Sequence, residues 1–182
     1  MKKMNRKGFT LVELLAVIVI LAILMAIAAT NIGPVIDNSR RSSMRTTAKN
    51  LMEAVRIQLT SNYRLDAGKY AFTRTVLDSG GITAPFGGEY AYYTGSTGRV
   101  ANSSVYKVGD VATSSPSDCA SSTYSYVVIK RTEQAYIWSI CLTTKKASGG
   151  TSPEGGYLYG SREQLDDEKN TGIFYGKAKL AG

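Results

Sequence analysis

Histidine is absent from this chain of 182 residues, and cysteine, tryptophan and proline are scarce, with two, one and four copies. Without histidine, the chain lacks the commonest general base and the commonest zinc ligand of proteins. The sequence also contains no Gly-rich phosphate loop, no metal-ligand spacing and no pairing of a nucleophile with a base. It therefore predicts a protein that is not an enzyme and that holds no cofactor and no metal ion.

Acidic residues are outnumbered, since 22 lysines and arginines face 14 aspartates and glutamates, which gives a net charge of +8. Four of the basic residues lie within the first eight positions: Lys2, Lys3, Arg6 and Lys7. Residues 63–182 carry 13 basic and 11 acidic side chains and are nearly neutral. The basic balance is thus partly a signal of membrane topology and does not predict a nucleic-acid surface.

An apolar run from Phe9 to Ala29 follows the basic leader, and one carboxylate, Glu13, interrupts it. Its 21 residues span about 32 Å as a helix, which matches the hydrocarbon thickness of a membrane. Basic residues that flank such a segment stay in the cytoplasm, so the N-terminus is predicted inside and the C-terminus outside. In a secretory signal the cleavage site follows the apolar region, whereas here the small residue Gly8 precedes it. Cleavage after Gly8 would leave the helix on the protein.

Glu13 is the unusual residue of this run, because a carboxylate costs roughly 2.5–3.5 kcal/mol near the centre of a membrane helix and needs a partner. Cleavage after Gly8 would create an ammonium group on Phe9. Glu13 lies four residues farther along, on the same helix face. It could neutralise that amine in its own chain or in a neighbour. The alternative is an uncleaved signal anchor in which Glu13 is incidental.

The stretch Gly8-Phe9-Thr10-Leu11-Val12-Glu13 resembles the class III signal of the type IV pilin family, which includes pilins, type II secretion pseudopilins and competence pilins. The resemblance is close over about the first 30 residues. It implies that a prepilin peptidase cleaves after Gly8 and methylates the amine of Phe9, and that Glu13 aligns an incoming subunit through that amine. It also implies a single-pass protein of the cytoplasmic membrane that later enters an extracellular filament. An assembly platform and a separate ATPase motor would build that filament.

Residues 35–62 are predicted to form an amphipathic helix, because six apolar residues recur at spacings of three and four. These residues are Met44, Ala48, Leu51, Met52, Val55 and Leu59. Just before them, Pro34 lacks an N–H and disfavours helix at Gly33, so a kink or local break is expected there. The chain is divided accordingly into a leader (1–8), a membrane or filament-core half-helix (9–34), an amphipathic half-helix (35–62) and a β-rich head (63–182).

Strands are predicted in the head at 89–93, 104–108, 124–130, 135–143, 157–159 and 173–175. Pairing Val128 with Trp138 would place Tyr124, Tyr126 and Val128 on the same face as Trp138, Ile140 and Leu142. That face would pack on the helix stripe. The expected fold class is α+β and pilin-like, with a long N-terminal helix packed against a C-terminal antiparallel sheet of three or four strands.

Cys119 and Cys141 are the only cysteines and lie 22 positions apart. In an exported head, where disulfides persist, one bridge is favoured over two free thiols. On the pairing above Cys119 is not opposite Cys141, so the loop 119–123 must fold back.

Three weaker patterns in the head have a structural reading beside a functional one. Asp166-Asp167-Glu168, with Glu163, could offer oxygen ligands to calcium, but a solvated acidic turn is favoured. Tyr90, Tyr92 and Tyr93 could form a binding surface, but half-buried packing is favoured. Asn102-Ser103-Ser104 matches a glycosylation sequon, which as a tripeptide is weak support.

The favoured function is the structural subunit, or major pilin, of an extracellular type IV pilus, which is a homopolymer. Two alternatives stay open: a type II secretion pseudopilin that forms a short periplasmic piston, and a competence or minor pilin that holds DNA or a ligand. A head charge of +2 argues weakly against strong DNA binding.

Overall fold

The structure is a computed structural model that describes residues 9–61, 65–78, 84–85, 89–100, 105–110, 114–145, 156–167 and 173–177. The chain divides into two compact units, one up to Ser39 and one from Arg40 onward. The helices are α1 (Leu11–Ser61), α2 (Arg74–Asp78), α3 (Pro116–Ala120) and α4 (Arg162–Asp166). The strands are β1 (Gly68–Phe72), β2 (Glu89–Tyr90), β3 (Val105–Gly109), β4 (Tyr126–Arg131), β5 (Tyr136–Lys145), β6 (Gly156–Ser161) and β7 (Phe174–Lys177).

In the first unit, α1 is apolar around its whole circumference from Leu14 to Ala28. All described side chains from Phe9 to Ala28 are exposed. The helix continues without interruption through Gly33 and Pro34, so the expected local break does not occur. A proline removes only one hydrogen bond of the ladder and can be accommodated as a kink inside a helix. A bend at Gly33 and Pro34 within the continuous helix stays a prediction.

The second unit is built on a seven-stranded antiparallel sheet with the order β3-β1-β4-β5-β6-β7, and β2 pairs with the end of β5. The strands predicted at 157–159 and 173–175 correspond to β6 and β7, and those at 89–93 and 104–108 correspond to the shorter β2 and to β3. The prediction of three or four strands was too low. In particular, β1 was not predicted, although it lies between β3 and β4 in the sheet.

The core of the second unit lies between α1 and one face of this sheet. All six residues of the predicted helix stripe are buried, each with at most 3% of its surface exposed. They pack in one cluster with apolar side chains from five strands: Phe72, Val105, Val127, Ile129, Ile140, Leu142 and Leu158. The predicted α+β architecture, in which the helix stripe packs on an antiparallel sheet, is therefore confirmed.

The hairpin of β4 and β5 has a register one residue away from the predicted one. Ile129, and not Val128, lies opposite Trp138. A slip of one residue exchanges the two faces of a strand. Val127 and Ile129 therefore belong to the main core, while Val128 lies on the other face in a second cluster with Tyr126. The predicted facing of Tyr126 and Val128 toward the helix was wrong, because both faces of β4 are apolar and alternation did not distinguish them.

The second cluster lies on the face of the sheet away from the helix stripe and contains a disulfide between Cys119 and Cys141. Their Cα atoms are 5.5 Å apart and both side chains are fully buried. Cys119 lies on α3, whose N-terminus is closed by a reciprocal capping box of Ser115 and Asp118. The chain near Cys119 was expected to fold back toward Cys141, and α3 is the element that places Cys119 there.

Candidate processing and assembly site

Thr10 and Glu13 cap the first turn of α1 reciprocally. The backbone N–H and the hydroxyl of Thr10 each donate a hydrogen bond to Oε2 of Glu13, both at 2.8 Å. In return, the N–H of Glu13 donates to Oγ1 of Thr10 at 3.3 Å. N–H groups at the start of a helix have no acceptor within the helix, and this capping box satisfies two of them. The Glu13 carboxylate therefore has a fixed position at the helix start.

Among the described residues, both hydrogen bonds to the Glu13 carboxylate end on Oε2 and none ends on Oε1. Phe9 precedes the cap with 87% of its surface exposed. Gly8 and the rest of the leader lie outside the described residues, so the bond that a peptidase would cleave has no described geometry. Cleavage after Gly8, methylation of Phe9 and the pairing of Phe9 with Glu13 therefore stay predictions.

The helix that follows the cap can cross a membrane by its length and composition, over Leu11–Ala28. The buried core helix of a soluble protein and a signal sequence near the N-terminus can pass the same test, and here none of these 18 residues is buried. Residues 3–29 match the family model described as the prokaryotic N-terminal methylation motif. The chain carries the signal motif of type IV pilins and pseudopilins. No curated protein and no solved structure is significantly similar to the chain.

The pilin signal has consequences for processing and location at the level of the family. It implies cleavage by a prepilin peptidase and assembly into a pilus or a secretion system. Together with the exposed apolar helix, it indicates that the chain is anchored in a membrane before assembly. Proteins that carry the pilin signal are structural and are generally not enzymes.

The acidic stretch of the head is engaged with α1. Asp166 forms an ion pair with Lys49 at 3.0 Å. The guanidinium of Arg45 donates to the carbonyl oxygens of Leu165, at 2.7 Å, and of Asp167. Glu168 lies outside the described residues. In the part of the chain that the structure describes, no three His, Cys, Asp or Glu side chains are grouped as a metal site would need.

The tyrosines singled out by the sequence differ in burial. Tyr90 is buried in the main core with 3% of its surface exposed. Tyr92 and Tyr93 are partly buried and line a groove on the head. Tyr90 is therefore a packing residue, as favoured from the sequence, while Tyr92 and Tyr93 are only partly so. The sequon Asn102-Ser103-Ser104 lies outside the described residues.

Two residues with clear structural roles escaped the sequence analysis. Thr10 was not assigned a role, although Thr-x-x-Glu before an apolar run is the recognised pattern of a capping box. Arg45 was also assigned no role, yet its guanidinium connects α1 to the end of α4 through two backbone carbonyl oxygens. No local pattern identifies that second role, because the acceptors lie about 120 residues away along the chain.

Proposed function

We propose that this chain is the major structural subunit of an extracellular type IV pilus, cleaved after Gly8 and methylated on the amine of Phe9. The observation that supports this most directly is the exposed apolar helix of Leu11–Ala28, with a carboxylate held at its start. Large apolar side chains along this segment expose between 46% and 80% of their surface. Such a surface requires apolar surroundings, first lipid and then the helices of neighbouring subunits.

Assembly moves this helix from lipid into a bundle of identical helices. Lipid tails are as apolar as leucine, so the transfer gains little hydrophobic free energy. Close packing between helices must therefore contribute part of the free energy of assembly. A specific electrostatic contact must set the register between neighbouring helices. Each subunit contacts the next through different surfaces, so assembly is open and yields a fibre. A separate ATPase motor works with the assembly platform.

The electrostatic contact is the pair formed by Glu13 and the amine of Phe9. Cleavage breaks the bond between Gly8 and Phe9 but leaves the N–H of Thr10 in place, so the capping box survives processing. Oε2 of Glu13 stays on Thr10, at 2.8 Å, while Oε1 can accept from the ammonium of its own chain or of a neighbour. In an apolar bundle an unpaired charge is costly, so this pairing selects the register in which both charges are neutralised.

Two variants separate the charge of Glu13 from its capping role. Glu13→Gln keeps an oxygen that can cap the helix but removes the charge, while Thr10→Ala removes the hydroxyl half of the capping box and keeps the charge. Since breaking a buried ion pair costs roughly 3–5 kcal/mol, Glu13→Gln lowers the yield of sheared filaments on the order of 100-fold or more. Thr10→Ala lowers it by much less.

Immunoblots of the membrane fraction serve as the control, because both variants are expected to be inserted and cleaved as the wild type is. Filaments of Glu13→Gln at wild-type yield would contradict the pairing of Glu13 with Phe9. A wild-type chain that is cleaved but stays in the membrane fraction would instead favour the pseudopilin or the minor pilin, the latter including a subunit that binds DNA.

A further inference from the structure

A polar groove of about 450 Å³ opens on the head beside the loop 91–100. The described residues that line it include two arginines, three tyrosines and three threonines, and none of them is acidic. Arg74 and Arg99 are exposed. This volume lies in the range of sites for small molecules, which combine a few placed polar groups with aromatic walls.

The walls of the groove are fixed by backbone hydrogen bonds. The N–H of Tyr93 donates to the carbonyl oxygen of Phe72, at the end of β1, at 2.8 Å. The N–H of Lys107 on β3 donates to the carbonyl oxygen of Gly98 at 2.7 Å. Gly98 has a φ of +82°, and a Cβ there would lie 2.1 Å from the carbonyl oxygen of Lys107. Only glycine allows this close approach, which places Arg99 opposite Tyr106. These bonds hold the described walls of the groove against β1 and β3.

The aromatic rings of the groove are also held in place. The ring of Tyr93 lies 5.5 Å from that of Tyr106 and 5.3 Å from that of Tyr124, in tilted and edge-on arrangements. The guanidinium of Arg74 lies 5.8 Å from the centre of the ring of Tyr92. Rings packed in this way present apolar surface and hydroxyl groups at low entropic cost to a ligand.

We propose that this groove binds an acidic sugar, meaning a pyranose that carries a carboxylate within an acidic polysaccharide or glycan. The forked guanidinium groups of Arg74 and Arg99 match the geometry of a carboxylate. Tyrosine rings offer apolar surface to the C–H face of a pyranose, and the hydroxyls of tyrosine and threonine both donate and accept hydrogen bonds, as sugar hydroxyls require.

A single-stranded nucleic acid fits these features less well. Binding of single strands requires a positive groove along several phosphates. Here the groove carries two arginines on a head that is nearly neutral, with 13 basic and 11 acidic residues from 63 to 182.

The test measures binding by the full-length chain in detergent micelles, by titration calorimetry with three probes. These are an oligogalacturonide, its methyl ester and a single-stranded DNA of similar length. The acidic sugar is expected to bind saturably, and the ester, which has the same shape without the charge, is expected to bind at least about tenfold more weakly. Because this assay needs no filament, it is independent of the proposed assembly into a pilus.

Variants assign the binding to the groove. Arg74→Ala and Arg99→Ala are each expected to raise the Kd for the oligogalacturonide by about tenfold. Arg131→Ala is the matched control, since Arg131 is also exposed but does not line the groove. Arg99→Lys keeps the charge without the fork and is expected to bind with intermediate affinity while the thermal midpoint of the head stays unchanged.

Three results would overturn the inference: no saturable binding of the oligogalacturonide, an equal loss of affinity in Arg131→Ala, or tighter binding of the DNA with a steep dependence on salt. The last result would assign the groove to nucleic acid instead.

Discussion

Two segments of the same helix, α1, carry many apolar side chains but differ completely in burial. From Leu11 to Ala28 no residue is buried, whereas the six stripe residues between Met44 and Leu59 expose at most 3% of their surface. The first segment is apolar all round and the second only on one side. A helix that is apolar all round must be surrounded, while a stripe is covered by a single sheet. The head therefore completes its core from its own chain, whereas the first unit depends on other molecules to cover its apolar surface.

Alkaline pH is expected to produce the largest difference between the two units. Burial raises the pKa of Tyr70, Tyr90 and Tyr126 to about 12 each, while tyrosine in an unfolded chain has a pKa of about 10. Between pH 10 and 12 the unfolded head therefore releases protons that the folded head retains. The stabilisation of the folded head by these protonated tyrosines is fully present below pH 10. The free energy of unfolding of the head falls as the pH rises from 10 to 12.

Circular dichroism of the full chain in micelles measures both units in one titration. The near-ultraviolet signal of the head is expected to disappear between about pH 10 and 12, together with a rise in tyrosinate absorbance. Residues 9–39 contain no tyrosine, so much of the helical signal is expected to remain. A head that stays folded well above this range, or a helical signal lost in parallel, would contradict the comparison.

The same substitution at two isoleucines sharpens the contrast further. Ile140 is fully buried in the head, and Ile20 is 57% exposed. Ile140→Ala is expected to lower the free energy of unfolding of the head by about 2–5 kcal/mol because it leaves a cavity. Ile20→Ala is expected to change it by less than about 0.5 kcal/mol. Trp138 is the only tryptophan and lies in the head core, so its fluorescence in a urea titration measures the head alone. Equal effects at both positions would refute the division.

The disulfide contributes to the head alone and by a somewhat smaller amount. The bridge joins Cys119 and Cys141, which are separated by 22 positions. Chain-entropy models assign about 3 kcal/mol to a loop of this size. The double variant Cys119→Ala/Cys141→Ala is expected to lose about this much stability in the same urea titration. Adding reductant should destabilise the wild type and leave the double variant unchanged. A variant as stable as the wild type would show that α3 is held by packing alone.

The smallest effect is expected at the surface ion pairs of the head. Asp166 pairs with Lys49 at 3.0 Å, and their side chains are 61% and 39% exposed. Exposed pairs of this kind contribute roughly 0.2–1 kcal/mol. Asp166→Asn is therefore expected to lower the unfolding free energy by less than about 1 kcal/mol, and less still at high salt. A loss as large as that of Ile140→Ala would mean that ion pairs, and not the core, hold α4 on α1.

The long helix α1 was predictable because its signals are local, whereas the short helices α2, α3 and α4 were not predicted. The apolar run after Gly8 and the stripe from Met44 to Leu59 both follow directly from spacing along the sequence. The capping box of Thr10 and Glu13 was equally readable. The break expected at Pro34 does not occur. One missing N–H weakens a helix without ending it when the flanking turns are intact.

The sheet was less predictable because its signals are not local. The run around Val128 is apolar on both faces, so its register depends on what covers each face and not on alternation. One face meets the helix stripe, and the other meets α3 with its disulfide. The strand β1 begins at Gly68, which reads as a turn, and its partners lie on β3 and β4 far along the chain. The groove around Arg74 and Arg99 has no sequence signal for the same reason.

Mass spectrometry of filaments sheared from cells gives the intact mass and the N-terminal peptide of the pilus subunit. A major subunit that is cleaved after Gly8 is expected to begin at methylated Phe9 and to be lighter by the two hydrogens lost in the Cys119–Cys141 bridge. Filaments that lack this chain, or a mature protein that begins at Met1, would contradict this expectation.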